Sequence, residues 1–372
     1  MSKQDVFIGR NIRKRRKKLG LTQRDLAEEV KLGHHQTISA IERGERELRA
    51  SELANIARVL KTSTNNLLEP EQVSEEAPVL WRDKPEDRGT KEAQFRKRCE
   101  QYHLLEKVLD QKQMNRLTSQ VEEPLDNLQG LAEKVRNTMN LGSKPASSLR
   151  QTLEEDYFVK IWFLDMGESG SGACTKDHFG CGILINRSEA PWRMNFSLAH
   201  ELFHLLTWEE TVAGMSESEG TLSKGVESKA NTFAANLLLP AQDVFDHFSE
   251  KIEQNEVFYS DLIKFSRSFK VSTETLIWRL HNLNLINRET VNRILDDDGF
   301  REMDKSTMNE YWETPPEKPE RFVRLTGLAF MRDKISKAKA ADLLDTSLFD
   351  LEDTFKRYGI STTNDRNATN PG

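Results

Sequence analysis

Two histidines four residues apart, with a glutamate directly after the first, constrain the fold of this chain more than any other feature of its sequence. They are His200, Glu201 and His204, in the run Ser-Leu-Ala-His-Glu-Leu-Phe-His-Leu-Leu. Residues four apart share one face of an α-helix, so a helix here brings both imidazoles to one metal ion. Glu201 then lies beside that ion, where it can accept a proton from water that the metal acidifies. The spacing predicts a helical zinc site of the hydrolase type; the alternative is a buried amphipathic helix with two hydrogen-bonded histidines.

A zinc site of this type needs a third protein ligand and leaves its fourth position open. Downstream, one set of apolar residues recurs at helical spacing: Ala230, Phe233, Ala234, Leu237 and Leu238. Glu227 precedes this stripe by one turn and faces the same way, and a carboxylate that faces a core needs a partner such as a metal ion. Asn231 follows one turn later and can hydrogen-bond a ligand from behind. The alternative is that Glu227 is a first-turn glutamate stabilised by the helix dipole.

Together the two segments resemble the ImmA/IrrE family of zinc metallopeptidases. The family's first helix corresponds to Phe196–His204, and its Glu-x-x-Ala-Asn-x-Phe-Ala-Ala helix corresponds to Glu227–Pro240. The resemblance implies that His200, His204 and Glu227 bind zinc and that Glu201 is the general base. One position departs from the family pattern, because Phe203 stands where a small residue often precedes the second histidine.

Composition places these motifs in a chain of two or three domains. The 372 residues are 37% hydrophobic and 31% charged, which is typical of a helix-rich protein with a charged surface. No apolar run approaches the length of a membrane span, and the polar start lacks a signal peptide. Three cysteines, Cys99, Cys174 and Cys181, do not form a disulfide framework. We therefore expect a cytoplasmic protein.

The first 69 residues are basic, whereas the rest of the chain is acidic. They contain fifteen Lys/Arg and nine Asp/Glu, a net charge of +6, so the other 303 residues carry −12 of the total of −6. Five helices are predicted, with Thr22 and Ser51 as caps of the second and fourth. The strings Leu21-Thr-Gln-Arg-Asp-Leu-Ala and Gln36-Thr-Ile-Ser-Ala-Ile-Glu-Arg-Gly44 resemble the Xre/Cro-type helix-turn-helix domain.

This resemblance implies that the third helix enters the major groove of duplex DNA. Gln36, Thr37 and Ser39 are polar residues opposite the apolar Ile38 and Ile41, and they can meet base edges. The predicted phosphate contacts are Arg13, Arg16, Gln23 and Arg43. Glu42 is predicted to be a partner inside the domain, for Arg43 or for a backbone amide. For each basic side chain the alternative is a solvated helix face. Helix-turn-helix domains that read paired half-sites are dimers, so we expect a homodimer.

The sequence predicts a mainly α fold with a small β-sheet. A five-helix DNA-binding domain (1–69) precedes a linker (70–90) and a helical connector (91–150). An α+β zincin-like peptidase core (151–255) follows, with strands expected at Tyr157–Asp165 and Gly180–Arg187. A helical extension (256–360) and a disordered tail (361–372) complete the chain. The strand at Cys181–Asn186 is either a core strand or an edge that an extended substrate could join.

Two functions compete on this evidence. In the first, the protein is a DNA-binding regulator and zinc endopeptidase, and the family resemblance implies a helix-turn-helix repressor as its substrate, cleaved under stress or mobile-element induction. In the second, it is a non-proteolytic repressor or antitoxin whose zinc is structural or sensory. Glu201 favours the first, because a structural site needs no general base.

Overall fold

The computed structural model describes residues 3–32, 35–46, 48–68, 77–83, 85, 87–111, 117, 127–167, 170–213, 222–254, 256–307 and 315–361. Parts of the predicted linker (70–76, 84 and 86) and of the predicted connector (112–116 and 118–126), and the tail after Ser361, lie outside these ranges. The chain divides into two compact units, residues 1–77 with 86–101 and residues 78–85 with 102–372. The predicted class is confirmed: a helical N-terminal region precedes a region in which many helices accompany a small sheet.

Five helices form the N-terminal part of the first unit: α1 (Lys3–Lys18), α2 (Gln23–Glu29), α3 (His35–Glu42), α4 (Ala50–Val59) and α5 (Thr64–Leu68). The predicted apolar faces of α2, α3 and α4 close around one core that includes Leu26, Ile38 and Ile56. Thr22 caps α2, and its hydroxyl accepts a hydrogen bond from the Asp25 amide. The prediction that Ser51 caps α4 was wrong.

The cap position of α4 is two residues earlier than predicted, at Arg49 instead of Ser51. The helix begins at Ala50, after Arg49, and Ser51 is already inside it. The backbone amide of Arg49 donates to the Glu52 carboxylate. The glutamate three residues after the cap therefore satisfies a free amide of the helix start, and no cap hydroxyl is needed there.

The other helices follow the DNA-binding region. They are α6 (Arg88–Val108), α7 (Leu128–Thr138), α8 (Pro145–Glu155), α9 (Pro191–Leu206), α10 (Trp208–Ala213), α11 (Lys224–Leu238), α12 (Ala241–Glu253), α13 (Tyr259–Ser268), α14 (Thr273–Asn282), α15 (Arg288–Asp296), α16 (Asp298–Ser306), α17 (Glu320–Met331), α18 (Lys337–Leu343) and α19 (Leu351–Arg357). In the second unit α9 packs against α11, and α11 also packs against α7. None of the described helices is both long and apolar enough to cross a membrane.

A four-stranded sheet lies beside α9 in the second unit. Its strands are β1 (Leu80–Trp81), β2 (Lys160–Leu164), β3 (Gly172–Asp177) and β4 (Gly180–Asn186), in the order β1-β3-β4-β2. β2 and β4 are parallel, whereas β1 and β4 are both antiparallel to β3. α9 packs on β3 and β4.

Three features of the sheet differ from the sequence predictions. β3 was not predicted, because Gly172-Ala-Cys-Thr has small side chains and no clear alternation. β4 pairs on both sides, so the suggestion that it offers a free edge was wrong. The predicted linker (70–90) contains β1 and the start of α6, because the short apolar run Val79–Trp81 is buried against β3.

Candidate metal centre and nucleic-acid interface

α9 carries the His-Glu-x-x-His segment on its buried side. Pro191 occupies its first turn, where no intrahelical amide donor is required. From Ser197 to Leu206 every residue is buried, which is the pattern of a helix enclosed by a sheet and other helices. His200 is fully buried, and Glu201 and His204 are each 1% exposed. Three strongly polar side chains are thus withdrawn from water, and each needs a partner.

α11 supplies the third member of the site. The Ser223 hydroxyl caps it by accepting a bond from the Val226 amide, and Glu227 lies in the first turn. The apolar stripe that follows Glu227 is fully buried at Phe233 and its neighbours. Phe203, the departure from the family pattern, packs its ring 5.5 Å from that of Phe233 and 5.7 Å from that of His204. The larger residue therefore fills the contact between α9 and α11 behind the histidines.

His200, His204 and Glu227 converge on one point. The two imidazole Nε2 atoms are 3.1 Å apart, and the Glu227 carboxylate lies 3.1 Å from His200 Nε2 and 3.5 Å from His204 Nε2. Among the described residues these three form the one His/Cys/Asp/Glu group whose ligand atoms cluster closely enough to hold a metal ion. Tetrahedral zinc ligands at 2.0–2.1 Å are separated from one another by about 3.3 Å. The three side chains therefore fit a tetrahedral ion and leave a fourth position for other ligands.

Asn231 fixes the orientation of His200. Its Oδ1 lies 3.0 Å from Nδ1 of His200 and also accepts a hydrogen bond from the Arg82 guanidinium at 3.4 Å. Because an amide oxygen only accepts, Nδ1 carries the proton and Nε2 is left as a free ligand atom. A hydrogen bond of this kind holds a metal-binding imidazole in its tautomer and rotamer. The structure thus places Asn231 where the sequence predicted it.

Glu201 points into the same region from the next position on α9. Among the described residues no nitrogen or oxygen atom hydrogen-bonds this carboxylate, and its neighbour is the Cys174 thiol, a weak donor. Burial raises the pKa of Glu201, although the nearby imidazoles of His200 and His204 oppose the shift. Burial raises the pKa of the Cys174 thiol well above its ordinary value, and the adjacent Glu201 carboxylate adds to this. A buried carboxylate with a raised pKa and only a weak thiol donor beside it is suited to accept and release a proton.

Gly172 on β3 makes room for that carboxylate. A Cβ at this position would lie 2.9 Å from Oε1 and 3.2 Å from Cγ of Glu201. Gly172, Cys174 and Arg82 all border the site, and none of them was predicted from the sequence as a site residue. The only available signal was the small-residue run Gly172-Ala-Cys before a predicted strand, and such a run has no distinctive periodicity.

Glu227 differs from Glu201 in its charge state. Burial raises its pKa, but the close approach of the carboxylate to the His200 and His204 imidazoles outweighs this, so that the pKa of Glu227 falls to about 2. Its side chain is 23% exposed, which gives the cluster an opening to solvent. The site thus combines an ionised carboxylate, which is suited to bind a cation, with a second carboxylate that is suited to exchange a proton.

The DNA-binding prediction is correct in layout but wrong for one side chain. Arg16 is buried, and its guanidinium bonds both oxygens of Glu42, at 2.6 and 3.1 Å, and the Leu21 carbonyl at 2.7 Å. The Gln23 amide also donates to Glu42, at 2.8 Å. All of the Arg16 nitrogens are engaged inside the domain, so its predicted phosphate contact is a misassignment. The internal partners of Glu42 are thus Arg16 and Gln23 instead of Arg43.

The remaining predicted DNA contacts lie nearer the surface. Gln36 and Arg13 are exposed, and Thr37 and Ser39 are half-buried. Arg43 is exposed, donates to the Ser39 hydroxyl and forms an ion pair with Glu45 at 2.8 Å. α3 thus presents its amide and hydroxyl side chains on the side opposite the buried Ile38 and Ile41. Such a surface can donate to and accept from base edges.

Comparison with known families agrees with both regions. Residues 12–67 match the family profile described as helix-turn-helix. Residues 154–281 match the peptidase family described as IrrE N-terminal-like domain, and this range contains α9, α11 and the whole histidine–glutamate cluster. A search of curated proteins returned no match. The chain therefore carries one segment that matches helix-turn-helix domains and a second that matches the IrrE-like peptidase family.

Proposed function

We propose that this protein is a transcriptional regulator with zinc-dependent endopeptidase activity, and that it cleaves a helix-turn-helix repressor. Its own helix-turn-helix domain binds an operator as a homodimer, which brings the peptidase to DNA-bound substrates in the cytoplasm. Cleavage of the repressor then relieves repression under stress or mobile-element induction. The repressor as substrate, the homodimer and the inducing conditions extend the family resemblance; the peptidase chemistry is supported by the site itself.

The observation that carries the proposal is the position of Glu201. A structural zinc site is closed by four protein ligands and has no need of a further carboxylate. Here three ligands converge, and beside them stands a buried carboxylate that no nitrogen or oxygen donor satisfies and that has only the Cys174 thiol next to it. Keeping a carboxylate in a core with only a weak thiol donor costs stability. A catalytic use explains why the chain tolerates that cost.

Each residue then has a defined task. His200, His204 and Glu227 hold the ion, and Asn231 keeps the His200 imidazole in register. Bound zinc would polarise the scissile carbonyl and acidify water. Glu201 accepts the proton of the attacking water and passes it to the leaving amine, and its raised pKa suits both transfers. The buried surroundings strengthen each electrostatic contact in the site.

The test is to incubate the purified full-length protein with the repressor encoded beside its gene, with and without zinc. We expect zinc-dependent cleavage by the wild type and none by Glu201→Gln, which removes the proton acceptor but keeps all three ligands. Glu209→Gln is the matched control, because this glutamate is exposed on α10. Cleavage by Glu201→Gln at the wild-type rate would contradict the general-base role.

Zinc content gives an independent measurement on the same proteins. We expect about one zinc per chain in the wild type and in Glu201→Gln. His204→Ala should lose most of it, since two ligands hold the ion far more weakly than three. Full occupancy in a His200→Ala, His204→Ala double variant would rule out the assigned site.

A second candidate function is a non-proteolytic repressor with a structural or sensory metal. The near-complete burial of His200 and His204 favours it, because structural sites are enclosed. The two candidates differ in the outcome for Glu201→Gln. If the site is structural, Glu201→Gln keeps the zinc content and DNA binding of the wild type, and neither the wild type nor the variant cleaves the repressor.

A further inference from the structure

The edge of β3 is covered by a short segment of the chain that precedes the peptidase region. This covering segment, residues 78–82, contains β1, in which Leu80 pairs with Cys174 and Trp81 with Ala173. The Arg82 amide donates to the Gly172 carbonyl at 3.2 Å, and the Thr175 hydroxyl donates to the Pro78 carbonyl at 3.1 Å. The segment therefore lies antiparallel to β3 along most of that strand, in the manner of an added peptide strand.

The covered edge strand, β3, lies directly against the proposed catalytic carboxylate. Gly172, whose carbonyl accepts from Arg82, lies against Glu201 so closely that a Cβ there would be 2.9 Å from Oε1. In an antiparallel pair, residues directly opposite each other are the closest across the two strands. Arg82 therefore lies opposite Gly172, the residue of β3 that is next to Glu201.

Side-chain contacts hold the segment toward the metal centre. The Arg82 guanidinium donates to Asn231 Oδ1 at 3.4 Å, and that oxygen is 3.0 Å from His200 Nδ1. The same guanidinium lies 5.7 Å from the centre of the Phe196 ring, one turn before His200 on α9. Leu80 and Trp81 are each at most 2% exposed. The segment thus makes backbone, apolar and charged contacts, which is what a bound peptide would make.

We propose that residues 78–82 act as an internal pseudosubstrate, because they occupy the β3 edge at which an extended peptide substrate would pair beside the proposed metal centre. The inference rests on the proposed peptidase function for its meaning, but peptide binding at this edge does not depend on catalysis. It also defines a substrate class: an extended segment with an apolar residue in the Leu80 position and a basic residue two positions later. Substrate binds only after the covering segment leaves β3.

A tethered occupant competes strongly with a free one. A segment held by a short connection acts at an effective concentration of about millimolar. The apparent affinity of a free peptide falls in proportion to the fraction of molecules whose edge is open. Opening the edge by mutation should therefore raise the affinity for a peptide of the same sequence, with no change in the binding strand itself.

The experiment measures binding of a fluorescent peptide with the sequence of residues 77–85 to the full-length protein by anisotropy. Arg82→Pro removes the amide that bonds Gly172 and should weaken the covering segment. Asp83→Pro is the matched control, because the alternation of a strand directs the amide of residue 83 away from β3, and proline favours an extended residue before it. We expect Arg82→Pro to bind the peptide at least about tenfold more tightly than the wild type and Asp83→Pro do.

Hydrogen exchange on the same proteins provides a second measurement. In the wild type, the amides of Arg82, Gly172 and Cys174 should exchange slowly, because they lie in the β1–β3 ladder. In Arg82→Pro, Gly172 and Cys174 should exchange faster, and saturating peptide should slow them again. Fast exchange at Arg82 in the wild type would overturn the proposal. So would an opened edge in Arg82→Pro that fails to bind peptide at about 1 mM.

The outcome separates this inference from the proposed function. Peptide binding by Arg82→Pro without repressor cleavage in any variant would support peptide binding at the β3 edge and contradict the peptidase activity. Repressor cleavage by the wild type, together with equal peptide binding by Arg82→Pro and Asp83→Pro, would retain the peptidase and remove the pseudosubstrate.

Discussion

Gly172 leaves room for the Glu201 carboxylate because it has no side chain. The Cα of Gly172 forms part of the wall beside the Glu201 carboxylate, and the Leu184 carbonyl on β4 closes the space behind it. An added methyl group would meet that carbonyl at 3.3 Å and the Glu201 oxygen at 2.9 Å. The backbone carbonyl cannot move easily, so the carboxylate has to rotate away.

We therefore predict that Gly172→Ala retains zinc but loses at least about tenfold in repressor cleavage, which corresponds to about 1.4 kcal/mol of transition-state stabilisation. The ligands His200, His204 and Glu227 are not touched by the added methyl group. Gly89→Ala is the control, because a Cβ at Gly89 meets nothing within 4 Å. Loss of zinc from Gly172→Ala, or full activity, would contradict this account.

Some side chains of the site were predictable from the sequence, and others were not. His200 and His204 on α9 are four residues apart, as are Glu227 and Asn231 on α11, so each helix brings its own pair onto one face. Gly172 and Arg82 approach the site from separate strands, and pairing between distant segments leaves no local pattern in a sequence. Arg16 was misassigned for a related reason, since its partner Glu42 lies on another helix.

At the scale of elements, α1 and α3 are joined by a buried ion pair. The Arg16 guanidinium and the Glu42 carboxylate are both buried, and the Gln23 amide adds a bond from α2. Breaking a buried pair by removing one partner leaves an uncompensated charge. The pair therefore fixes the relative positions of three helices on which the proposed reading of DNA depends.

We predict that Arg16→Ala lowers the opening free energy of the α2 and α3 amides by about 3–5 kcal/mol in hydrogen exchange on the full-length protein. Arg13→Ala, three residues earlier and exposed, should change it by less than about 0.5 kcal/mol. Equal effects of the two substitutions would show that the buried pair contributes no specific stability.

DNA binding gives a prediction for the exposed side of α3. Gln36→Ala should cost about 1–3 kcal/mol at the operator and much less on random DNA, if Gln36 contacts a base edge. Arg13→Ala should weaken both similarly and reduce the dependence of affinity on salt, because it removes a phosphate contact. Titrations at several salt concentrations measure both effects. Equal losses on specific and random DNA for Gln36→Ala would place the recognition surface elsewhere.

The elements themselves were predictable to different degrees. Helices with a clear apolar stripe, such as α2 and α11, were predicted because helical spacing is a local signal, and the Thr22 cap adds a second local signal at α2. β2 and β4 were found from their apolar runs. β1 is two residues long and β3 is built from small residues, so each exists only because the other sheet strands and α9 surround it.

At the scale of the whole molecule, a buried acid far along the chain from the metal centre makes stability depend on pH. Burial raises the pKa of Glu154 on α8 to about 8; the nearby Arg150 opposes the shift, and the carboxylates of Glu155 and Glu320 reinforce it. The folded protein thus holds this proton more tightly than the unfolded chain. The stabilisation is complete below the ordinary carboxyl pKa and is lost as pH rises through about 8.

We predict that Glu154→Gln removes part of this pH dependence. Between pH 6 and pH 9 the wild type should lose about 2–3 kcal/mol more unfolding free energy than the variant, as measured by urea denaturation followed by tryptophan fluorescence. Glu209→Gln is the control, because Glu209 is exposed on α10 and is not among the charges that shift the pKa of Glu154, and it should retain the wild-type slope. Parallel pH profiles for the wild type and Glu154→Gln would show that Glu154 is ionised in the folded protein at pH 6.

The two-residue length of β1 has a consequence for solubility. A sheet edge with unpaired amides and carbonyls is a template for other chains, and proteins shield such edges with short strands and charged residues. β1 followed by Arg82 and Asp83 is a shield of this kind over the apolar Ala173 and Cys174 of β3. When the covering segment leaves β3, the unpaired edge can pair with a second protein molecule as readily as with a peptide. Aggregation after prolonged opening is therefore an inherent hazard of this fold, and rapid reclosure is the protection against it.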